Sequence, residues 1–186
     1  VLEHEIVESV IRTDERMTYT DVTKILKDKD QELIERYKPL YDDFLAMEEL
    51  CLILNKKRIQ RGAIDFDFEE SKITLDEKGV PISIKPYERE IANRIIEEFM
   101  LVCNETIAEH MYWTNIPFVY RVHENPDEEK LQRFSTFVHN LGYTLKMGKE
   151  VHPRLLQEIL DKVKGNKEET VVSTLLLRSM MQARYS

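Results

Sequence analysis

The feature that most constrains this chain is its longest run of helix-period apolar residues, Tyr87 to Trp113. At about 100° per residue, Ile91, Ala92, Ile95, Ile96, Phe99, Met100, Val102, Cys103 and Ile107 cover more than half of the helical wheel. A helix apolar over so wide an arc must be covered on several sides, so the other elements are expected to pack around it. The polar positions divide into two groups. Asn93, Glu97 and Asn104 form a narrow stripe at the edge of the apolar face, because steps of four and seven return to nearly the same side. Arg94, Glu98, Glu105 and Glu109 lie further round and are expected in solvent. A carboxylate and two carboxamides at a core boundary either bond neighbouring backbone or hold a polar ligand, and the pattern alone leaves both open.

The rest of the chain alternates helical and strand signals. His4 to Thr13 alternates and is rich in Ile and Val, which predicts a strand. Thr18-x-x-Asp21 has the spacing of a capping box and opens a helix whose buried side is Val22, Ile25 and Leu26. Tyr19 then falls in its first turn, as a packing ring with a wet hydroxyl or as a ligand contact. Leu40 to Gln60 predicts a long helix, with Leu40, Phe44, Met47, Cys51 and Leu54 inside, Pro39 in its first turn and Gly62 just past its end. Lys56, Lys57, Arg58 and Arg61 crowd that end, as dipole partners or as phosphate contacts. A three-stranded meander is predicted from Ile64, Phe66 and Phe68, then Ile73 and Leu75, then Val80, Ile82 and Ile84. Asp76-Glu77-Lys78-Gly79 makes its turn. Asp65 and Asp67 share a strand face, but a hard cation needs more oxygen ligands than two, so a solvated face is the expectation.

After Asn115-Ile116-Pro117, a short strand is predicted over 118–123. Asn125-Pro126-Asp127 opens a helix that buries Leu131, Phe134, Phe137, Val138 and Leu141 and stops at Gly142. Pro153 to Val163 and Thr170 to Arg184 are the last two helices, joined by Lys164-Gly165-Asn166-Lys167. His110, His123, His139 and His152 have no metal or triad spacing and are read as structural. The fold class that results is α+β: a mostly antiparallel sheet packed with several long α-helices.

Composition removes several function classes. With 42% apolar and 33% charged residues, the 186 residues suit one globular domain or a large piece of one. No apolar run approaches the ~18–20 residues of a membrane span. The start has neither the basic lead nor the apolar core of a signal peptide. It also lacks Met, and the end falls within a helical pattern, so the chain is expected to be a segment of a longer protein. Cys51 and Cys103 sit at apolar helix positions and are expected buried and reduced, in a cytoplasmic protein. There is no C-x-x-C and no zinc spacing. The net charge of −8 and pI near 5.3 oppose non-specific nucleic-acid binding, without excluding a local basic groove. Spacing alone yields no active site.

Five blocks carry a resemblance. They are Arg16-Met17-Thr18-Tyr19-Thr20-Asp21-Val22, Arg61-Gly62-Ala63-Ile64-Asp65-Phe66, and Ile95-Ile96-Glu97-Glu98-Phe99-Met100 with Asn104. The other two are Tyr120-Arg121-Val122-His123-Glu124-Asn125-Pro126 and Leu177-Arg178-Ser179-Met180-Met181-Gln182-Ala183-Arg184-Tyr185. In order and spacing they resemble the catalytic (RNB) domain of the ribonuclease II/ribonuclease R family, nearer its ribonuclease R branch, over essentially the whole chain. The resemblance implies a processive 3′→5′ hydrolase that degrades single-stranded RNA to nucleoside 5′-monophosphates.

In that family an Asp cluster holds Mg²⁺, which activates water and stabilises charge on phosphorus. The resemblance places that cluster upstream of these residues and the catalytic Arg downstream. Residues 1–186 then form an internal segment with no catalytic residue and no metal ligand of its own, inactive when isolated. What carries over is a 3′-end pocket: Tyr19 contacts the terminal nucleotides, Phe66 stacks on a base and Glu97 accepts from ribose hydroxyls. Arg178 receives no role beyond a phosphate or carboxylate contact. The parent is expected to be a monomer, free of zinc and membrane. The competing readings are a catalytically inactive RNA-binding scaffold of the same fold and, more remotely, a DNA-directed nuclease.

Overall fold

The computed structural model describes residues 1–64, 66, 70–87, 89–145 and 151–186. The chain divides into two compact units, Val1–Asn55 with Glu69–Ile116, and Lys56–Phe68 with Pro117–Ser186.

In the first unit, α1 (Tyr19–Thr23) runs directly into one π-helical turn over Lys24–Asp28 that ends on Lys29 at φ +54°. Asp30 accepts from the backbone N–H groups of Glu32 and Leu33 and so caps α2 (Gln31–Arg36). A short 3₁₀ turn, Lys38–Leu40, with Pro39 inside it, leads to α3 (Tyr41–Arg61). Phe44 and Cys51 are buried as the period of α3 predicts and Gly62 follows its last turn at φ +101°, whereas Pro39 and Leu40, expected within this helix, lie in the preceding 3₁₀ turn. The predicted central helix is α4 (Ile91–Thr114), closed by Asn115 in the left-handed region. Ile25, Leu26, Tyr37, Phe44, Cys51 and Ile95 form the buried core of this unit. β1 (Glu70–Leu75) and β2 (Pro81–Tyr87) pair antiparallel, Ile73 opposite Ile84, with Gly79 at φ +79° in the turn.

The second unit is built on α5 (Glu128–Asn140), α6 (Pro153–Val163) and α7 (Glu169–Ser179). Leu131, Phe134 and Val138 of α5 meet Leu156, Ile159 and Val163 of α6 and Val172 and Leu176 of α7. Asp127 caps α5 by accepting from the N–H of Lys130. β3 (Arg121–Val122) pairs antiparallel with β4 (Arg184–Tyr185), and Tyr120 and Ser186 exchange backbone hydrogen bonds beyond the pair. An Arg184–Glu124 ion pair at 2.7 Å reinforces this seam.

The α+β class stands, and several expectations are corrected. His4 to Thr13 alternates but forms no strand: it is exposed and has no ladder partner among the described residues. The described part of the meander has two strands. Ile64 and Phe66 pack into the core of the second unit instead of pairing, and Asp65, Asp67 and Phe68 lie outside the described residues. The last helix ends at Ser179, because 184–185 is taken up by pairing with β3. Leu141, expected inside, is 42% exposed beyond the end of α5. Cys51 is buried and Cys103 exposed, both as free thiols.

Candidate functional site

Tyr19 owes its position to a helix cap. The hydroxyl of Thr18 accepts from the backbone N–H of Asp21 at 3.1 Å, the cap half of the expected box, and fixes Tyr19 as the first residue of α1. A side chain there stands at the rim of the helix, and Tyr19 is 51% exposed. It borders a groove of about 510 Å³ within the first unit. Met17, Thr18 and Val22 flank it on the same segment. Phe44 and Met47 of α3 and Ala92, Ile95 and Ile96 of α4 complete the walls. The lining is apolar apart from the hydroxyls of Thr18 and Tyr19. Such a groove suits a flat group with apolar faces and a polar edge, since polar specificity then rests on few convergent atoms.

Glu97 follows groove-lining Ile96 on α4. Its carboxylate receives the Nε–H of Arg89 at 3.0 and 2.8 Å on its two oxygens, and an Nη2–H of the same guanidinium on Oε2. This fork fixes the carboxylate plane while leaving acceptor capacity, because an ionised carboxylate offers about four lone-pair positions. The side chain is 42% exposed, so those positions are reachable. Arg89 escaped sequence reasoning because it precedes Glu97 by eight residues and lies before α4 begins, outside the one-turn spacing that flags helical ion pairs.

Glu98, expected in solvent, is 4% exposed. Asn55 of α3 donates to its Oε1 at 2.8 Å. A wheel ranks Glu98 by its angle and knows nothing of a donor on another helix. Burial of Cys51, with the charge of Glu98 next in weight, pushes the Cys51 thiol up, while Arg94 works against both. Asn93 accepts from the N–H of Glu90 at the start of α4, which is the backbone-bonding alternative, and Asn104 is exposed.

Phe66 belongs to the second unit, where it is half-buried against the core of α5, α6 and α7. Tyr19 thus borders a groove whose α4 wall is Ala92, Ile95 and Ile96, Glu97 is the next residue of α4 but is not part of the lining, and Phe66 belongs to the other unit. Among the described residues, no group of three or more His, Cys, Asp or Glu could hold a metal ion, and no helix is long and apolar enough to cross a membrane.

The RNB domain model matches residues 1–186. Ribonuclease R 1 of Lactococcus lactis is 44% identical over 187 residues, covering 100% of this chain and 23% of that protein. Ribonuclease R of Aquifex aeolicus is 42% identical over 183 residues, covering 98% of this chain and 26% of its own. Mycoplasma genitalium RNase R, solved in complex with ribose methylated single-stranded RNA, aligns with a TM-score of 0.77 at 30% identity, over 90% of this chain and 26% of that one. The same enzyme in complex with double-stranded RNA gives the same score and identity, over 90% and 30% of the two chains. The chain thus spans about a quarter of the length of the curated relatives it matches. Matched along its whole length by the RNB domain and aligned over nearly all of it with ribonuclease R proteins, the chain belongs to the RNB family of exoribonucleases.

Proposed function

We propose that this chain supplies the 3′-terminal nucleotide pocket of a processive 3′→5′ exoribonuclease that hydrolyses single-stranded RNA to nucleoside 5′-monophosphates. The reading is supported by the groove beside Tyr19, lined on the α4 side by Ala92, Ile95 and Ile96, and by an oriented, solvent-reachable Glu97 that follows Ile96 on the same helix. Tyr19 offers a ring face for stacking, worth ~1–3 kcal/mol per base. Its hydroxyl has no hydrogen-bond partner among the described residues and is available to a base or ribose. Glu97 accepts from a ribose hydroxyl, and a 2′-OH is what separates RNA from DNA. Phe66 is assigned the second stacking face. In the parent, Mg²⁺ would be held by an Asp cluster assigned outside residues 1–186 and would supply water activation and charge stabilisation at phosphorus. The residues of this chain bind and orient the strand end. The parent is placed in the cytoplasm as a monomer. A relative solved with single-stranded RNA at 30% identity supports the substrate class.

The test uses the full-length parent with matched RNA and DNA oligomers. Glu97→Ala is expected to lower the RNA-over-DNA preference about tenfold, the factor for one hydrogen bond of about 1.4 kcal/mol. Because the Arg89 pair is at the surface, stability changes by at most about 1 kcal/mol. An unchanged preference would remove Glu97 from the pocket. A wild-type parent that binds RNA without hydrolysing it would favour the scaffold reading.

A further inference from the structure

A cleft between α5 and α7, wholly within the second unit, gathers cations in a chain of net charge −8. It is an open cleft of about 520 Å³, lined by Lys130 and Arg133 of α5, Arg178 of α7, and the apolar Phe134, Phe137 and Leu175. Lys130, Arg133, Phe134 and Phe137 follow the i, i+3, i+4, i+7 pattern, so one face of α5 presents cations and rings together. No carboxylate lines the cleft. Arg133 reaches only Glu129, one turn back, at 3.7 Å with both side chains more than 80% exposed, a pair of little energetic weight. Lys130 and Arg178 have no ion-pair partner among the described residues. The hydroxyl of Ser179 is already used on the carbonyl of Leu175 at 2.9 Å.

Helix stability does not account for this grouping. Arg178 stands in the last turn of α7, where a cation is favourable. Lys130 stands in the first turn of α5, where a cation opposes the helix dipole. Three cations on two packed helices repel one another, and a bound anion relieves that repulsion. The anion's class follows from the donors. Two guanidinium forks match phosphate oxygens bidentately. Half-buried Phe137 offers a ring to the ribose or base attached to that phosphate. A carboxylate would engage the forks but leave the ring unused.

We infer that the α5–α7 cleft is a backbone-phosphate contact site for the RNA strand, with residues distinct from those of the 3′-end pocket. The inference rests on the exoribonuclease reading above. Arg133 and Arg178 hold consecutive or nearby phosphates, Lys130 adds a further cation, and Phe137 supports the nucleotide between. Sequence is not read here, so the site suits a processive enzyme that must hold any transcript.

The test is equilibrium binding of a fluorescent oligouridylate to the full-length parent, with EDTA present to prevent hydrolysis, over a range of NaCl concentrations. The double variant Arg133→Gln/Arg178→Gln is compared with Lys162→Gln/Lys167→Gln, which removes equal charge elsewhere in the same unit. The cleft variant is expected to bind about tenfold more weakly at low salt. Its slope of log K against log salt should be shallower by roughly 1.4, or ~0.7 for each lost phosphate contact on a single strand. The control should stay near wild type. Equal loss in both variants overturns the site, since bulk charge then explains the effect. Unchanged RNA binding with a lowered melting temperature also overturns it, and marks the cleft cations as contributors to stability alone. A wild-type parent that fails to bind RNA refutes the exoribonuclease reading itself. A wild type that binds, with a cleft variant that behaves the same, refutes the cleft alone.

Discussion

Asn55 and Glu98 set a hydrogen-bonded polar pair inside the first unit, close to Cys51 and Ile95 of its core. Burying a carboxylate is costly unless its oxygens are satisfied, so the amide of Asn55 matters more than its size suggests. Asn55→Ala removes that donor from a residue 9% exposed and is expected to destabilise the chain by about 1–3 kcal/mol. Glu98→Gln keeps an acceptor in the same place and should cost less. Urea denaturation of the two variants measures the difference, and a loss below ~0.5 kcal/mol for Asn55→Ala would show that the pair carries no weight. The adjacent residues Glu97 and Glu98 show how far sequence reaches at this scale. The wheel placed Glu97 at the boundary, where it lies. It sent Glu98 to solvent, because the donor that holds it sits forty-three residues earlier in the chain.

At the scale of elements, the connection from α6 to α7 is pinned by side chains. Tyr143 donates to Glu168 at 2.6 Å and accepts from Asn166 at 3.1 Å. Asn166 also donates to the carbonyl of Lys162, and Glu169 accepts from the N–H of Gly165. The hydrogen bond from Tyr143, with a backbone contribution, holds the carboxyl of Glu168 below its ordinary range. The same bond, with some burial, raises the Tyr143 hydroxyl. A depressed carboxyl contributes stability that is present above its unfolded pKa and lost as pH falls through the folded one. A raised phenol contributes below its unfolded pKa and loses this as pH rises through the folded one. The stability advantage of wild type over Tyr143→Phe should therefore be level near neutrality, shrink below the ordinary carboxylate range, and shrink again in strong alkali. Thermal melts across pH read this directly, and an advantage that grows on acidification would refute it. The neighbouring α6 was legible to the residue because Pro153 opens it and Gly165 lies shortly beyond its end. The end of α7 was not. Met180, Met181 and Ala183 continue the apolar period without a breaker, and the strand partner that claims Arg184 and Tyr185 lies at 121–122. The six-residue α2 is too short to show a period at all. The alternation from His4 to Thr13 gave two faces but could not supply a neighbouring strand.

For the whole molecule, hydrolysis of a phosphodiester requires an activated water and a positive charge at the developing oxyanions, which two-metal sites supply together. Five of the described acids already have partners. Glu97 is bound by Arg89, Glu98 by Asn55, Glu90 by Lys27 at 2.9 and 3.0 Å, Glu124 by Arg184 and Glu168 by Tyr143. Each is fixed in an ion pair or hydrogen bond within its own unit, and the net charge of −8 repels a polyanion overall. The proposed pocket roles of Tyr19, Phe66 and Glu97 came only from the blocks that resemble a known family. The physical pattern alone marked Glu97 and gave no reaction. Residues 1–186, expressed alone and incubated with single-stranded RNA and Mg²⁺, should therefore release no nucleoside 5′-monophosphates under conditions in which the full-length parent degrades the same RNA. Chromatography of the products decides it. Monophosphate release that scales with the amount of this chain and stops on addition of EDTA would mean that a competent metal site lies within these residues, and the assignment of metal and pocket to different parts of the parent would have to be abandoned. Absence of release, with RNA binding that weakens steeply as salt rises, is what a strand-holding portion of a larger catalyst should show, because its affinity rests on phosphate contacts while its chemistry is supplied elsewhere.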